Sequence, residues 1–392
     1  MNVFKYRALN EAGEKHNGMI LADNADNAYH IVCAKNLKPI SVSEANKIKS
    51  KIKLEEILMF FLHIDFQLKC GVKINEAIDN FIDQQNNKEF NIKLLEISTS
   101  LKNGESLGNS FKNSIFDQTI VGLLNSAEQT GNISEVIASI LSFLKLKKDW
   151  NDKVKSVIAY PLFITFTAII IMWFCITILG PQVAELIKDY DQSADLPLLT
   201  DFAINYLPQI SATISAILII AISIFSLSSF SKNSRQFIYE TLLKIPKIGN
   251  LLKTVSLWQF CKVLQMSLCA KLDFINAIDL SIDSIQFESI KSDFLSVKSK
   301  MLNGSKIAEA FAASNYLPPS ILTALCVGEE GNHLAESMNH ISDELYKSVL
   351  HQLENFGKFL SISLTFITGS IFIFILYSLF YPMYSYMEIV SS

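Results

Sequence analysis

The chain has 392 residues, half of them hydrophobic, and its mean hydropathy is +0.29. This length accommodates two or three domains. With 34 Lys and Arg against 38 Asp and Glu, the formal net charge is -4, so the composition excludes a strongly basic nucleic-acid-binding protein. The high hydropathy is concentrated in a few segments, and these segments indicate the class of protein.

Residues 1–45 are predicted to form a small α+β domain. The stretches "VFKYRAL" and "GMILA" alternate apolar and polar residues as strands do, and "LKPISVS" is a candidate third strand. The intervening "NADNAYHIVCAKN" suits a helix. No apolar segment typical of a signal peptide is present at the N-terminus. A lysine-rich linker, residues 46–55, is expected to join this domain to the rest of the chain.

A long internal repeat begins after the linker. Residues from about 57 to 155 are similar to residues from about 257 to 355 at an offset of 200. Between Phe311 and Gly331 the second copy gains one residue and then loses one, so that Glu128 aligns with Glu329 and Gly131 with Gly331. A period this long indicates a duplicated domain rather than a solenoid of short units.

Each copy is predicted to be a bundle of about six helices, at residues 56–155 and 231–355. Apolar residues recur at helical spacing in both copies: Ile74, Ala77, Ile78, Phe81 and Ile82, and Phe274, Ala277, Ile278, Ile282 and Ile285. The pairs Asn103-Gly104 and Asn303-Gly304 are expected to end a helix, because glycine readily adopts the left-handed conformation found just after a helix.

A second junction occurs in both copies, as "AEQTGNISEVI" and "VGEEGNHLAESM". Gly131 and Gly331 are expected to end one helix, and Asn132 and Asn332 to cap the next. Sequence provides no capping reason for the glutamates. The two glutamates, Glu128 and Glu329, are therefore candidates for a structural role or a partner contact.

The next helix of the first copy is expected to reach the membrane through a lysine-rich turn.

Three stretches lack Asp, Glu, Lys and Arg and are long enough to cross a bilayer, which needs roughly 20 apolar residues. They are residues 156–180, 209–230 and 359–387. Pro161 lies early in the first, where its missing N–H predicts either a kink or a packing contact.

Lysine and arginine near the span ends predict the orientation. The loop of residues 181–208 has a single lysine among five acidic residues, whereas lysines flank the cytoplasmic ends of all three spans. Residues 1–155 and 231–358 are therefore predicted to be cytoplasmic, with the loop and the C-terminus on the opposite side.

The sequence contains no pattern for catalysis, cofactor binding or metal binding. It has no G-x-x-x-x-G-K-[ST], no H-E-x-x-H and no C-x-x-C. Two carboxylate pairs at i, i+4 remain, Asp79 with Asp83 and Asp279 with Asp283. They could form a cation site, a docking surface for a basic partner or, most commonly for such charges, a solvated helix flank.

The order of small domain, bundle, two spans, bundle and span resembles the inner-membrane platform proteins of type IV pilus and type II secretion machines, the secretion "F" family. The residues that carry the resemblance are "FKYRALNEAGEKHNG", the glutamate-to-glycine turn in both copies, "VIAYPLF" and "FYPMY". The chain departs from the family pattern at Ala127, where a glycine usually stands, and in the shorter spacing between Glu329 and Gly331.

The resemblance implies a mainly α-helical scaffold in the bacterial inner membrane, with no enzymatic activity or cofactor. It implies that the 181–208 loop and the C-terminus are periplasmic. Implied partners are a cytoplasmic hexameric assembly ATPase, pilin or pseudopilin subunits, other inner-membrane assembly proteins, the lipid bilayer, and further copies of the chain, commonly as dimers. The ATPase would have to be a partner, because the chain has no nucleotide-binding loop of its own.

Two other classes are weighed against this one. A small membrane transporter or channel subunit would be expected to place ionisable residues inside its spans, and the three predicted spans have no Asp, Glu, Lys, Arg or His. A membrane-tethered enzyme would need a nucleophile–base pair or a metal cluster, for which the sequence shows no motif.

Overall fold

The computed structural model describes residues 2–9, 13, 15–22, 24–34, 37–44, 52–82, 85, 87–112, 115–174, 177–178, 181–182, 185, 243 and 245–391. The predicted second span, residues 209–230, most of the 181–208 loop, and Asp83 lie outside the described residues. The chain divides into two compact units, Met1–Trp150 with Thr254–Tyr346, and Asn151–Lys253 with Lys347–Ser392.

The N-terminal domain is a three-stranded sheet with one helix, as the alternating pattern predicts. The elements are β1 (Asn2–Leu9), β2 (Lys15–Ala22), α1 (Ala25–Ala34) and β3 (Lys38–Glu44). The sheet order is β2-β1-β3, and both pairs are antiparallel. Phe4, Tyr6 and Ala8 are buried because alternate residues of a strand share one face, and they pack with Ala28 and Val32 of α1.

The first copy of the repeat is helical throughout its described length. Its elements are α2 (Leu54–Lys69), α3 (Ile74–Ile82), α4 (Lys88–Lys102), α5 (Leu107–Lys112), α6 (Gln118–Thr130) and α7 (Ile133–Phe174). The second copy repeats this order as α8 (Pro246–Cys269), α9 (Phe274–Asp283), α10 (Glu288–Leu302), α11 (Ile307–Ala312), α12 (Pro319–Gly331) and α13 (Leu334–Ser391). The mainly α-helical fold class is confirmed.

The two copies are built around the same aromatic core. In the first, Phe60 packs against Phe90 and Phe111 with ring centroids 6.1 and 6.4 Å away. In the second, Phe260 packs against Phe294 and Phe311 at 4.6 and 6.0 Å. Phe60 and Phe260, and Phe111 and Phe311, are partners at the offset of 200, so the duplication preserves the packing of the bundle as well as its helical pattern.

Within the first unit the two bundles share a hydrophobic core. Val263, Met266 and Ala270 of α8 are buried in the cluster otherwise formed by the first copy. Trp258 is fully buried, with its ring centroid 6.3 Å from Phe143 and 5.0 Å from Tyr346. The two bundles therefore pack against each other and are not independent domains joined only by a linker.

The last helix of each copy continues without a break into an apolar segment. α7 is 42 residues long and α13 is 58. The lysine-rich turn predicted before the first span is wrong, because Lys145, Lys153 and their neighbours lie inside α7. Lysine favours helix, and no glycine or proline precedes Pro161 in this segment to interrupt it. By length and composition, α7 and α13 are the two described helices that could cross a membrane.

In the second unit, α7 and α13 approach each other closely at Gly357. A Cβ atom placed on this glycine would clash with Cγ1 of Val157. The Lys153 ammonium is 3.5 Å from the Glu354 carboxylate near the same crossing. A glycine at such a crossing lets two helix backbones approach, which is how helices commonly pack in membranes.

Candidate functional site

The Asn-Gly pairs end α4 and α10 in the conformation expected from sequence. Gly104 and Gly304 have φ of +86° and +92°. The amide of Glu105 donates to the carbonyl of Ser100 at 3.1 Å, and that of Ser305 to Lys300 at 3.2 Å. Each turn reverses the chain tightly and delivers it to the start of a six-residue helix, α5 or α11. The first backbone N–H groups of these helices have no partner within the helix.

The two glutamates satisfy these N–H groups. In the first copy Glu128 Oε2 accepts from the amide of Leu107 at 2.5 Å. In the second copy the Glu329 carboxylate accepts from the amides of Ile307 at 3.4 Å and Ala308 at 3.3 Å. A carboxylate at a helix N-terminus also interacts favourably with the helix dipole. The Asn-Gly pair and the glutamate, which sequence reasoning treats as separate features, thus form a single structural unit in each copy.

We call the segments Glu128–Asn132 and Glu329–His333 the glutamate turns. In the first, Gly131 adopts a left-handed conformation with φ of +72°, and the amide of Asn132 donates to the carbonyl of Ala127 at 3.0 Å. In the second, Asn332 is the left-handed residue, with φ of +55°, and the amide of His333 donates to Gly328 at 3.1 Å. In both, the left-handed residue comes three positions after the glutamate.

The predicted terminating role of Gly331 is therefore wrong, as is the alignment of Gly131 with Gly331. Gly331 is the last residue of α12, and Asn332 occupies the position of Gly131. Asparagine tolerates the left-handed region better than most residues, so a glycine is not required there. The second copy gains one residue before α12 and does not lose it, and the offset remains 201 through α12 and the start of α13.

Asn132 immediately precedes α7, and its side-chain amide donates to the Glu135 carboxylate at 2.5 Å. Asn332 does not precede α13 in the same way, because His333 stands between them. Asn332 therefore ends α12 and does not cap α13, so the predicted capping role is wrong. The difference results directly from the one-residue shift of the turn.

The three described carboxylates of the acidic pairs form ion pairs with lysines. The Lys102 ammonium is 2.7 Å from Asp79, which also accepts from the Ser98 hydroxyl at 2.6 Å. Lys298 pairs with Asp279, and Lys291 with Asp283 at 2.8 Å. These aspartate side chains are about two-fifths exposed, and each ion pair joins neighbouring helices of one bundle. Within the described part of the chain, no three His, Cys, Asp or Glu side chains lie close enough together to hold a metal.

Pro161 is buried inside α7, and its carbonyl accepts from the Thr165 hydroxyl at 2.8 Å. It lies one turn beyond Val157, the residue that meets Gly357. A proline removes the N–H that would otherwise bond the carbonyl four residues earlier, here that of Val157. Pro161 and the close helix crossing therefore lie within one turn of each other in α7.

Burial shifts the pKa of several titratable groups outside the glutamate turns. Burial lowers the pKa of Lys262, against smaller opposing effects of Asp343 and Cys269, and the ammonium donates to the Asn339 amide oxygen at 3.1 Å. Burial also lowers the pKa of His63 and raises that of the Cys261 thiol to about 12. These shifts result from packing, and the described surroundings of these groups offer no arrangement for proton transfer in catalysis.

The fold defines a class of duplicated helical proteins whose two bundles each continue into a long apolar helix. The profile of the family described as "Type II secretion system (T2SS), protein F" matches residues 66–181 and again residues 260–382. The profile of the N-terminal domain of the same protein matches residues 1–43. The chain therefore belongs to the type II secretion system protein F family, and the double match reproduces the duplication.

Several relatives align over most of their length. A type IV pilus assembly protein PilC of Thermus thermophilus is 22% identical over 358 residues, which are 88% of each chain. A type II secretion system protein F of Pseudomonas aeruginosa is 19% identical over 86% of this chain and 87% of its own. A protein transport protein HofC homolog of Escherichia coli is 19% identical over 97% of this chain and 96% of its own.

Proposed function

We propose that this chain is the inner-membrane platform of a type IV pilus or type II secretion machine. In this proposal it couples a cytoplasmic hexameric ATPase to the extraction and polymerisation of pilin or pseudopilin subunits. The family membership and the names of the relatives support the assignment. The chain acts as a scaffold and performs no chemistry of its own, which agrees with glutamates that cap helices rather than transfer protons.

One observation carries the mechanical part of the proposal. Each bundle ends in a helix that continues unbroken into an apolar segment, in α7 over 42 residues and in α13 over 58. A helix with its regular backbone hydrogen bonds is stiff over this length, so displacement of the bundle would be transmitted directly to the membrane segment. A flexible linker would dissipate the same displacement.

The proposed topology has three spans, residues 156–180, 209–230 and 359–387, with both bundles and the N-terminus in the cytoplasm. The lysine distribution supports it, and α7 contains residues 156–174 of the first segment while α13 contains the third. Single cysteines in the 181–208 loop should react with an impermeant maleimide in intact cells. Cysteines in α4 or α10 should react only after the cells are opened, and the reverse pattern would refute the topology.

Deletion of the gene tests the assignment itself. Surface pili or secreted substrate should be lost, while the assembly ATPase remains folded and hydrolyses ATP. Reintroducing the gene should restore assembly. Normal piliation together with normal secretion in the deletion strain would contradict the proposal, as would solute transport by the purified protein in liposomes.

Helix continuity can be tested separately. Replacing Asn151-Asp152 with Gly-Pro would break α7 between its bundle and its apolar segment. We expect normal membrane insertion but loss of pilus assembly or secretion. The matched control is the insertion of Gly-Pro into the 181–208 loop, which should be tolerated. Full activity of the Asn151-Asp152 variant would exclude transmission through α7.

A further inference from the structure

The contact between the two bundles joins two different faces. On the first copy it uses α6, where a Cβ on Gly122 would clash with Cδ2 of Leu280, and where the Ser126 hydroxyl donates to the carbonyl of Ala270 at 3.5 Å. On the second copy it uses α8 and α9, with Ala270 at the end of α8 and Leu280 on α9. We call these the α6-type face and the α8–α9-type face.

Because the bundles are copies, each carries both kinds of face, and the contact within the chain uses only one of each. A contact between unlike faces is heterologous and leaves one unpaired face at either end. The unpaired α6-type face is on α12 of the second copy. The unpaired α8–α9-type face is on α2 and α3 of the first copy.

The unpaired face of the first copy is apolar and exposed. On α2, Phe66 is 63% exposed, and Met59 and Leu62, which are 59% and 44% exposed, lie beside this face on the same helix. Phe66 stands at the position of Met266, which is 1% exposed because the first copy covers it. An exposed stripe of large apolar side chains is typical of an interaction surface.

The unpaired face of the second copy shows the same contrast. Val327 of α12 is 61% exposed, whereas Ser126 at the equivalent position of α6 is 4% exposed. Ser320 is exposed, whereas Thr119 at the equivalent position of α6 is buried. Thr323 is also exposed, whereas Gly122 at its equivalent position contacts Leu280. The second copy thus has an apolar valine at the uncovered position, where the first copy has a smaller, polar serine at the covered one.

We propose that a second copy of this chain covers both faces: α12 of one chain packs on α2 and α3 of another and repeats the contact made inside the chain. The equivalences place Val327 of one chain beside Cys70 of the other, and Thr323 beside Asn80. At the second pair, two polar side chains that can form a hydrogen bond with each other replace Gly122 and Leu280. The inference deepens the proposed function and rests on it, because it identifies the surface through which a homo-oligomeric platform assembles.

Cross-linking of the full chain in native membranes tests the surface. The background replaces Cys33, Cys175, Cys261, Cys269 and Cys326 with serine and keeps Cys70, and two copies with different tags are produced together. Val327→Cys should then give a product of two chains carrying both tags after treatment with a short bismaleimide. The product should disappear when Cys70→Ser is added.

Two controls are matched to this design. Leu302 is 62% exposed on α10, outside the proposed face, so Leu302→Cys should not link two chains. Ser126→Cys with Ala270→Cys, in the background that also has Cys70→Ser, should link within one chain and thereby report that the bundles remain folded. Equal yields for Val327→Cys and Leu302→Cys would overturn the proposal. A product that contains some other protein in place of the second copy would overturn it as well.

A second variant tests the same face without introducing another cysteine. Phe66→Glu places a charge on an exposed side chain, so the bundle should fold, while the chain-to-chain product of Val327→Cys should fall about tenfold, as expected for a loss of roughly 1.4 kcal/mol in the contact. An unchanged yield would overturn the proposal. These results are independent of the deletion phenotype, so a failure of the surface and a failure of the platform function would be told apart.

Discussion

Glu128 and Glu329 belong to a cap that joins distant parts of the sequence. Each carboxylate accepts backbone N–H groups of a helix that begins 21 or 22 residues earlier in the chain. The cap closes a loop formed by the Asn-Gly turn, a short helix, a longer helix and the glutamate. This arrangement explains why the glutamate recurs with Asn103-Gly104 and Asn303-Gly304 in the two copies.

We expect Glu128→Ala to lower the free energy of unfolding by about 1 kcal/mol, the usual cost of losing a helix cap. Thermal unfolding of the full chain in detergent, followed by circular dichroism, measures the loss. Gln129→Ala truncates the exposed neighbour and should have little effect. If Glu128→Ala abolished assembly at unchanged stability, the glutamate would be a partner contact instead of a cap.

His63 makes a pH-dependent contribution. Its Nε2 is buried and has no hydrogen-bond partner among the described residues, and burial lowers its pKa below the ordinary value of 6.5. Just below pH 6.5 the His63 imidazole therefore takes up a proton in the unfolded chain while it stays neutral in the folded chain. The free energy of unfolding consequently falls as the pH drops below 6.5. Val263, at the equivalent position of the second copy, is apolar and fully buried.

His63→Val should raise the free energy of unfolding by roughly 1 kcal/mol at pH 7, because it removes an unsatisfied buried nitrogen. It should also flatten the decline of stability as the pH falls below 6.5. Thermal unfolding at a series of pH values provides both numbers. His340→Val, on the second copy, controls for the substitution itself, and an unchanged pH slope in His63→Val would contradict the assignment.

At the scale of elements, α7 and α13 are the helices that each continue from a bundle into an apolar segment. Their crossing at Gly357 leaves no space for a side chain, because the nearest atom belongs to Val157, whose branched side chain is stiff. Gly369, on the same helix, has no atom within 4 Å of an added Cβ. The two glycines thus provide a tight site and an open site in one helix.

Gly357→Ala should destabilise the chain by about 1–3 kcal/mol, the usual cost of overpacking. Adding Val157→Ala should recover much of the loss, since it removes the atom that clashes. Thermal unfolding in detergent compares the single and double variants. Gly369→Ala should be neutral or stabilising, and an equal loss in Gly369→Ala would show that the crossing is not responsible.

At the scale of the whole molecule, the two bundles of the first unit share one core through Trp258. Trp258→Ala should cost roughly 3–5 kcal/mol, as expected for a large buried aromatic. Because its ring packs on Phe143 of the first copy, hydrogen exchange should quicken in α6 and α7 as well as in α8. The exposed Leu302→Ala is the control, and faster exchange confined to the second copy would contradict a shared core.

Most of the architecture can be predicted from local pattern. Alternation predicts the three strands of the N-terminal domain, helical periodicity predicts the stripe with Ala77 and Ile78, and Asn-Gly predicts the ends of α4 and α10. These features depend on residues that are close in sequence, so their physical causes are visible there. Membership of the type II secretion system protein F family is indicated by the same features taken in order.

The predictions that failed depend on distant or competing interactions. Pairing Gly131 with Gly331 maximises identity, but the turn geometry is set by the distance from the capping glutamate, and Asn332 satisfies it. The charge of the lysines before the first span suggests a turn at the membrane surface, but their helix propensity prevails and α7 continues through them.

Hydropathy, periodicity and repetition along the chain are enough for the duplication, the apolar segments and the small leading domain, because each reflects the local preference of the backbone and of water. Packing in three dimensions is what joins Glu128 to Leu107, brings Leu280 against Gly122 and seats Gly357 on Val157. These contacts join residues 21, 158 and 200 positions apart in the sequence, and neither helical nor strand periodicity indicates that they meet. They exist because a folded chain must satisfy its free N–H groups and fill its interior.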